Sequence, residues 1–186
     1  MRRRSGLGAF AGGTIATLAA LMASQRERRS APVDDNKSNA IRQRLVELAR
    51  AEEGRGEDPE YWLEAFGSVP PLGAYAWCGV FDLCLLRKCG LTNQLWLTGP
   101  KQYGFIYPCG LKPTNDPQPG DIAYFTRKQH HAIVLNATSD AVELCNGNGT
   151  GGVVSIGWTP RANVSSFFSI QSLIDTKISK MEEVRS

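Results

Sequence analysis

Apolar residues recur at Ile41, Leu45, Leu48 and Ala49, the spacing of one helix face, and predict a helix over 41–53. Asn39 or Ser38 can cap its start and Gly54 ends it. After the loop Gly54-Arg55-Gly56-Glu57-Asp58-Pro59, a second short helix is expected over 59–66, with Tyr61, Trp62, Leu63 and Phe66 as core contacts. Val69-Pro70-Pro71-Leu72-Gly73 breaks it, and an apolar helix follows over 77–88, with Gly90 as its stop. Beyond the turn Pro119-Gly120-Asp121 the pattern changes. Strands are expected over 121–126, 130–136 and 141–146, with a turn at 136–140. A fourth strand, 153–158, follows the glycine-rich 147–152, and 167–174 closes the pattern as strand or helix. Helices first and antiparallel strands second define an α+β class. There is no internal repeat.

The flanks read differently. Gly6 to Ser24 carries no charge and lies between Arg2, Arg3, Arg4 and Arg26, Arg28, Arg29. At about 19 residues it is just long enough to cross a bilayer, and its Gly and Ala content makes insertion marginal. Residues 1–29 are therefore expected to be a signal or anchor segment, with a cleaved signal peptide and a soluble arm as the other readings. Residues 30–39 are polar and expected to be a linker, 40–176 the domain, and 177–186 a frayed polar tail. Within the domain, 91–119 is long, rich in proline and punctuated by Trp96, Tyr103, Phe105 and Tyr107; such a length favours a functional loop, a wall of a groove.

Composition adds limits. The length of 186 residues suits one domain with an appendage, and 42% hydrophobic residues suffice for an ordinary core. The net charge of +3 comes from the arginines of the leader, so no basic groove for nucleic acid is expected. Five cysteines leave at least one free thiol. None is spaced as C-x-x-C, so a zinc ribbon is not expected; the expected cysteine chemistry implies no metal or cofactor. Cys84 and Cys89 read as small core residues, and a Cys109–Cys145 disulfide is open if the domain is exported.

Candidate chemistry lies in three stretches in chain order: Trp77-Cys78-Gly79-Val80-Phe81, His130-His131-Ala132-Ile133-Val134 and Glu143-Leu144-Cys145-Asn146-Gly147. A thiol opening a helix meets the positive end of the helix dipole and unpaired N–H groups, which favour thiolate and can hold an oxyanion. The two histidines are adjacent on a strand, so they face opposite sides and only one can look at Cys78. Alternation alone does not say which. Asn146 ends the next strand, where its side-chain oxygen can hold an imidazole tautomer. Asn-Gly-Asn-Gly is equally a turn sequence.

These motifs resemble the CHAP and NlpC/P60 branch of papain-like cysteine peptidases over roughly 41–174. The matching features are W-C-[AG]-x-[FY] at Trp77 to Phe81, the Pro-Gly-Asp turn at 119–121, H-x-[AG]-[IV]-V at His130 to Val134, and an Asn on the next strand at Asn146. The resemblance implies a papain-like fold, N-terminal helices carrying Cys78 packed on an antiparallel sheet carrying the His and Asn. It selects His130 as base, because the small residue falls two places later; a direct His-Ala pairing, as in papain, selects His131 instead. No Gln stands a few residues before Cys78, where papain-type enzymes place an oxyanion donor, which leaves Tyr75 as the nearest polar candidate.

Such a family mostly cuts bacterial peptidoglycan, as N-acetylmuramoyl-L-alanine amidases or endopeptidases. The expected protein is an exported or inner-membrane-anchored wall hydrolase of bacterial or phage origin, acting in the periplasm or cell wall. Its expected mechanism is Cys78, His130 and Asn146 acting on an amide. The rival expectations are an inactive papain-like module that binds wall glycan or peptide, an amide hydrolase acting on a non-wall substrate, and a structural membrane-anchored protein of a phage lysis apparatus.

Overall fold

The computed structural model describes residues 35–91 and 111–184. The leader, including the expected membrane segment, lies outside them, as do Cys109 and most of the proline-rich 91–119 stretch. No helix among the described residues is long and apolar enough to cross a membrane.

Helix α1 spans Asp35–Ala51 and buries Ser38, Arg42, Leu45 and Ala49. It starts inside the stretch expected to be linker. Its first turns turn a polar stripe inward, which hydrophobic spacing cannot register. Arg42 is what that stripe serves: its Nη1 donates to Asp121 Oδ1 at 2.9 Å and to the Pro119 carbonyl at 2.7 Å. Asp121 also accepts from the N–H groups of Gln118 and Ile170. A buried ion pair thus ties the first helix to the Pro-Gly-Asp turn.

Helix α2, Pro59–Phe66, matches its expected span. Asp58 caps it by accepting from the Glu60 N–H at 2.8 Å, Pro59 needs no partner at the first position, and Gly67 ends it with φ 72°. Helix α3 runs Cys78–Lys88 and is buried without a break from Cys78 to Leu86. That all-round burial follows from its place between α2 and the sheet. Gly90, at φ 64°, reverses the chain, and Leu91 N–H closes back on the Leu86 carbonyl.

The sheet has six antiparallel strands in the order β1-β6-β2-β3-β4-β5. They are β1 Lys112–Thr114, β2 Ile122–Phe125, β3 His130–Ala137, β4 Ala141–Asn146, β5 Ser155–Pro160 and β6 Ser166–Ser169. Strand β1 was not expected; at three residues with a central Pro113 it has no alternation to read, and it exists because β6 offers it an edge. The ambiguous 167–174 stretch divides into β6 and the start of helix α4, Gln171–Glu183. Helix α4 also replaces the expected frayed tail. Ile174 and Ile178 are buried, Lys177 donates to the Cys89 carbonyl at the end of α3, and Lys37 of α1 pairs with Glu182 at 2.9 Å.

Strand β3 sits inside the sheet and has two different faces. His131 and Ile133 share the face that meets the helices: His131 meets Cys78 of α3, and Cys145, paired with Ile133, donates its thiol hydrogen to the Ala49 carbonyl of α1. Ala132 and Val134 point the other way, into a cluster with Ala123, Val142, Leu144 and Phe167. The described residues therefore form an α+β domain of four helices and one antiparallel sheet.

Candidate active site

Cys78 is the first residue of α3, and no side chain caps that helix start. Trp77, the residue before it, is buried and stacks on Tyr61 at 5.6 Å between ring centroids. The residue that leads into the thiol is therefore held by packing. Its Sγ lies 3.8 Å from Nδ1 of His131. His131 is fully buried, and its ring lies 4.9 Å from that of Tyr124, its neighbour across β2 and β3. Helix start and central strand thus bring a thiol and an imidazole together.

His130 belongs to a different pair. Its Nε2 is 3.1 Å from Asn146 Oδ1. The Asn146 amide nitrogen donates to the carbonyls of Leu144 and Ser155, which fixes its oxygen as the acceptor toward the imidazole. His130 Nε2 must then carry the hydrogen. The expected sequence of contacts, Cys78 to His130 to Asn146, is divided between the two faces of β3. The physical reason is the two-residue period of a strand: if His131 faces the helices, His130 cannot. The His-Ala pairing, not the H-x-A spacing, marks the histidine beside the thiol, and Asn146 pairs with the other one.

The thiol is not lowered as a helix start alone would have it. Burial pushes the Cys78 pKa up to about 11, against the opposing help of the backbone N–H groups of His131, Gly79 and Cys78. At neutral pH the resting site holds a neutral thiol. Asp82 adds to the upward push. It follows Cys78 by one helical turn, is fully buried, and neither carboxylate oxygen has a hydrogen-bond partner among the described residues. Burial raises its pKa well above the usual carboxylate range. Its charge would also act on Cys145. Sequence reasoning passed over Asp82, although a lone acid inside Gly-Val-Phe-Asp-Leu-Cys-Leu-Leu was a visible anomaly.

Tyr75 is 40% exposed, with its ring set edge-on to Trp62 at 6.4 Å. That position does not single it out as an oxyanion donor. Cys145, Cys84 and Cys89 are free, buried thiols; Cys109, the other half of the expected Cys109–Cys145 disulfide, lies outside the described residues. Among the described residues no group of three or more His, Cys, Asp or Glu side chains could hold a metal ion. Gly147 has a reason beyond turn formation: a Cβ there would stand 2.5 Å from Phe81 Cβ, so its absence lets the end of β4 approach α3.

Comparison of the chain with protein-family models, with curated proteins and with solved structures finds no match.

Proposed function

We propose that this chain is a cysteine-dependent amide hydrolase of papain-like architecture, with bacterial peptidoglycan as substrate. The single observation that carries the proposal is the Cys78–His131 contact at the start of a buried helix. In the mechanism, substrate replaces water around the thiol, and Cys78 Sγ attacks the amide carbonyl as its proton passes to His131 Nδ1. For Nδ1 to accept, the neutral ring carries its hydrogen on Nε2. The carbonyl oxygen becomes an oxyanion, and the Cys78 N–H at the helix start donates to it. Imidazolium then protonates the leaving amine, the C–N bond breaks, and a thioester remains. Water, deprotonated by the same imidazole, releases the acid and restores the thiol. His131 takes the role that the motif spacing gave to His130, and no third polar group is required to explain the contact.

The wall as substrate rests on the resemblance of the Cys, Pro-Gly-Asp and His motifs to the CHAP and NlpC/P60 group. The uncharged, arginine-flanked segment at Gly6 to Ser24 suits a substrate beyond an inner membrane. A second reading, a papain-like module that binds wall components without cutting them, is favoured by one observation: Cys78 is only 4% exposed, and that burial pushes its thiol pKa up. The two separate on purified peptidoglycan. Full-length protein and its Cys78→Ala variant are incubated with it, and released fragments are read by mass spectrometry. Release by the wild type alone supports hydrolysis and names the bond. Equal release by both contradicts the cysteine mechanism, and binding without release by either favours the second reading.

A further inference from the structure

His130 and Asn146 line a cavity of about 850 Å³. They reach it from the face of β3 and β4 opposite to Cys78. Arg127 and Lys128, on the exposed turn between β2 and β3, line it as well, and neither has an ion-pair partner among the described residues. Asn148 and Ser155 add an amide and a hydroxyl, and no acidic side chain among the described residues lines it. Phe125 contributes an aromatic ring 5.9 Å from that of His130.

We propose that this cavity is a second binding site, for a sugar unit carrying an anionic group. Three features select that chemistry. Arg127 and Lys128 give uncompensated positive charge without any carboxylate to repel an anion. The amides and hydroxyls can donate to and accept from the ring hydroxyls of a sugar. Phe125 offers an apolar wall for the hydrophobic face of a pyranose. The His130–Asn146 pair stiffens the floor, because Asn146 is already held by the Leu144 and Ser155 carbonyls and cannot swing away. The anion can be a carboxylate or a phosphate, since both suit a guanidinium and an ammonium group. The site does not depend on the thiol chemistry. It stands on the other face of the sheet, so Cys78→Ala leaves it intact whether or not the chain is a hydrolase.

The chain has only two histidines, which makes the test direct. The imidazole signals of full-length protein are followed by NMR at constant pH and assigned with a His130→Gln variant. The titrants share one ring: N-acetylmuramic acid, N-acetylglucosamine 6-phosphate and neutral N-acetylglucosamine. The expected result is a saturable shift of the His130 signal with at least one acidic sugar, with the His131 signal still. The acid that binds more tightly names the anion. Arg127→Ala with Lys128→Ala, both exposed turn positions, weakens binding by about tenfold or more, and added salt weakens it as well. No saturable shift with either acid overturns the proposal. Equal affinity for the neutral sugar overturns it too, as does unchanged affinity in the double variant.

Discussion

Arg42 and Asp121 form an ion pair at 2.9 Å, with side chains 9% and 1% exposed. It joins the first helix to the turn that launches β2, and β2 pairs with β3, the strand that carries both histidines. The pair therefore holds together the two halves between which the thiol and the imidazole meet. Breaking one partner of a buried ion pair leaves the other charge uncompensated. Arg42→Met is expected to cost about 3–5 kcal/mol in urea unfolding, with Arg42→Met combined with Asp121→Asn recovering part of the loss. A loss below about 1 kcal/mol for Arg42→Met, the size of a surface pair, would contradict that role.

Asp82 carries the opposite prediction. Its two oxygens are buried without partners among the described residues, so Asp82→Leu, close in shape, is expected to stabilise the fold by about 1–3 kcal/mol at neutral pH. The pH dependence fixes the cause. The folded-state pKa is raised by burial, so the folded protein holds this proton where the unfolded chain has released it. Its contribution is fully present below the ordinary carboxylate pKa and is lost as pH rises from there toward the raised value. The stability gap between Asp82→Leu and wild type should widen between pH 4 and 7, as thermal unfolding across that range would show. A constant gap would mean that Asp82 does not change protonation on unfolding.

The neutral thiol at Cys78 predicts how it reacts at rest. With burial holding its pKa at about 11, alkylation by iodoacetamide should be slow near neutral pH and climb steadily as pH approaches that value. Peptide-level mass spectrometry distinguishes Cys78 from the other thiols. A rate that has already levelled off below pH 7 would indicate a resting thiolate–imidazolium pair, as the helix start alone would favour.

Much of this fold was legible. The spans of α2 and β4 follow from turn residues and apolar spacing alone, because Asp58, Pro59 and Gly67 mark one and the Asn-Gly turn ends the other. Elements with polar reasons for existing were not. The first turns of α1 are helical because Ser38 and Arg42 face inward, and the tail is helical because Ile174 and Ile178 find a groove against the rest of the chain. The three residues of β1 depend on β6, a partner distant in sequence. The site shows the same division. The stretches that hold Cys78 and the histidines were visible as motifs. Which histidine turns toward the thiol is a matter of strand register, and two adjacent histidines offer alternation no way to choose. Asp82 was visible as a charge in an apolar helix, yet its lack of partners could be known only from packing.

The most direct test of the central claim compares the two histidines. Hydrolysis of peptidoglycan by full-length His131→Ala and His130→Ala is measured beside the wild type, with far-UV circular dichroism to confirm folding and His131→Gln as a second variant if alanine leaves a cavity. With His131 as the base, its loss should lower the rate by about 10²–10⁴-fold, whereas His130→Ala keeps the rate within about tenfold of wild type. Loss of activity in His130→Ala with His131→Ala and His131→Gln still active would contradict the account and return the base to the other face of β3.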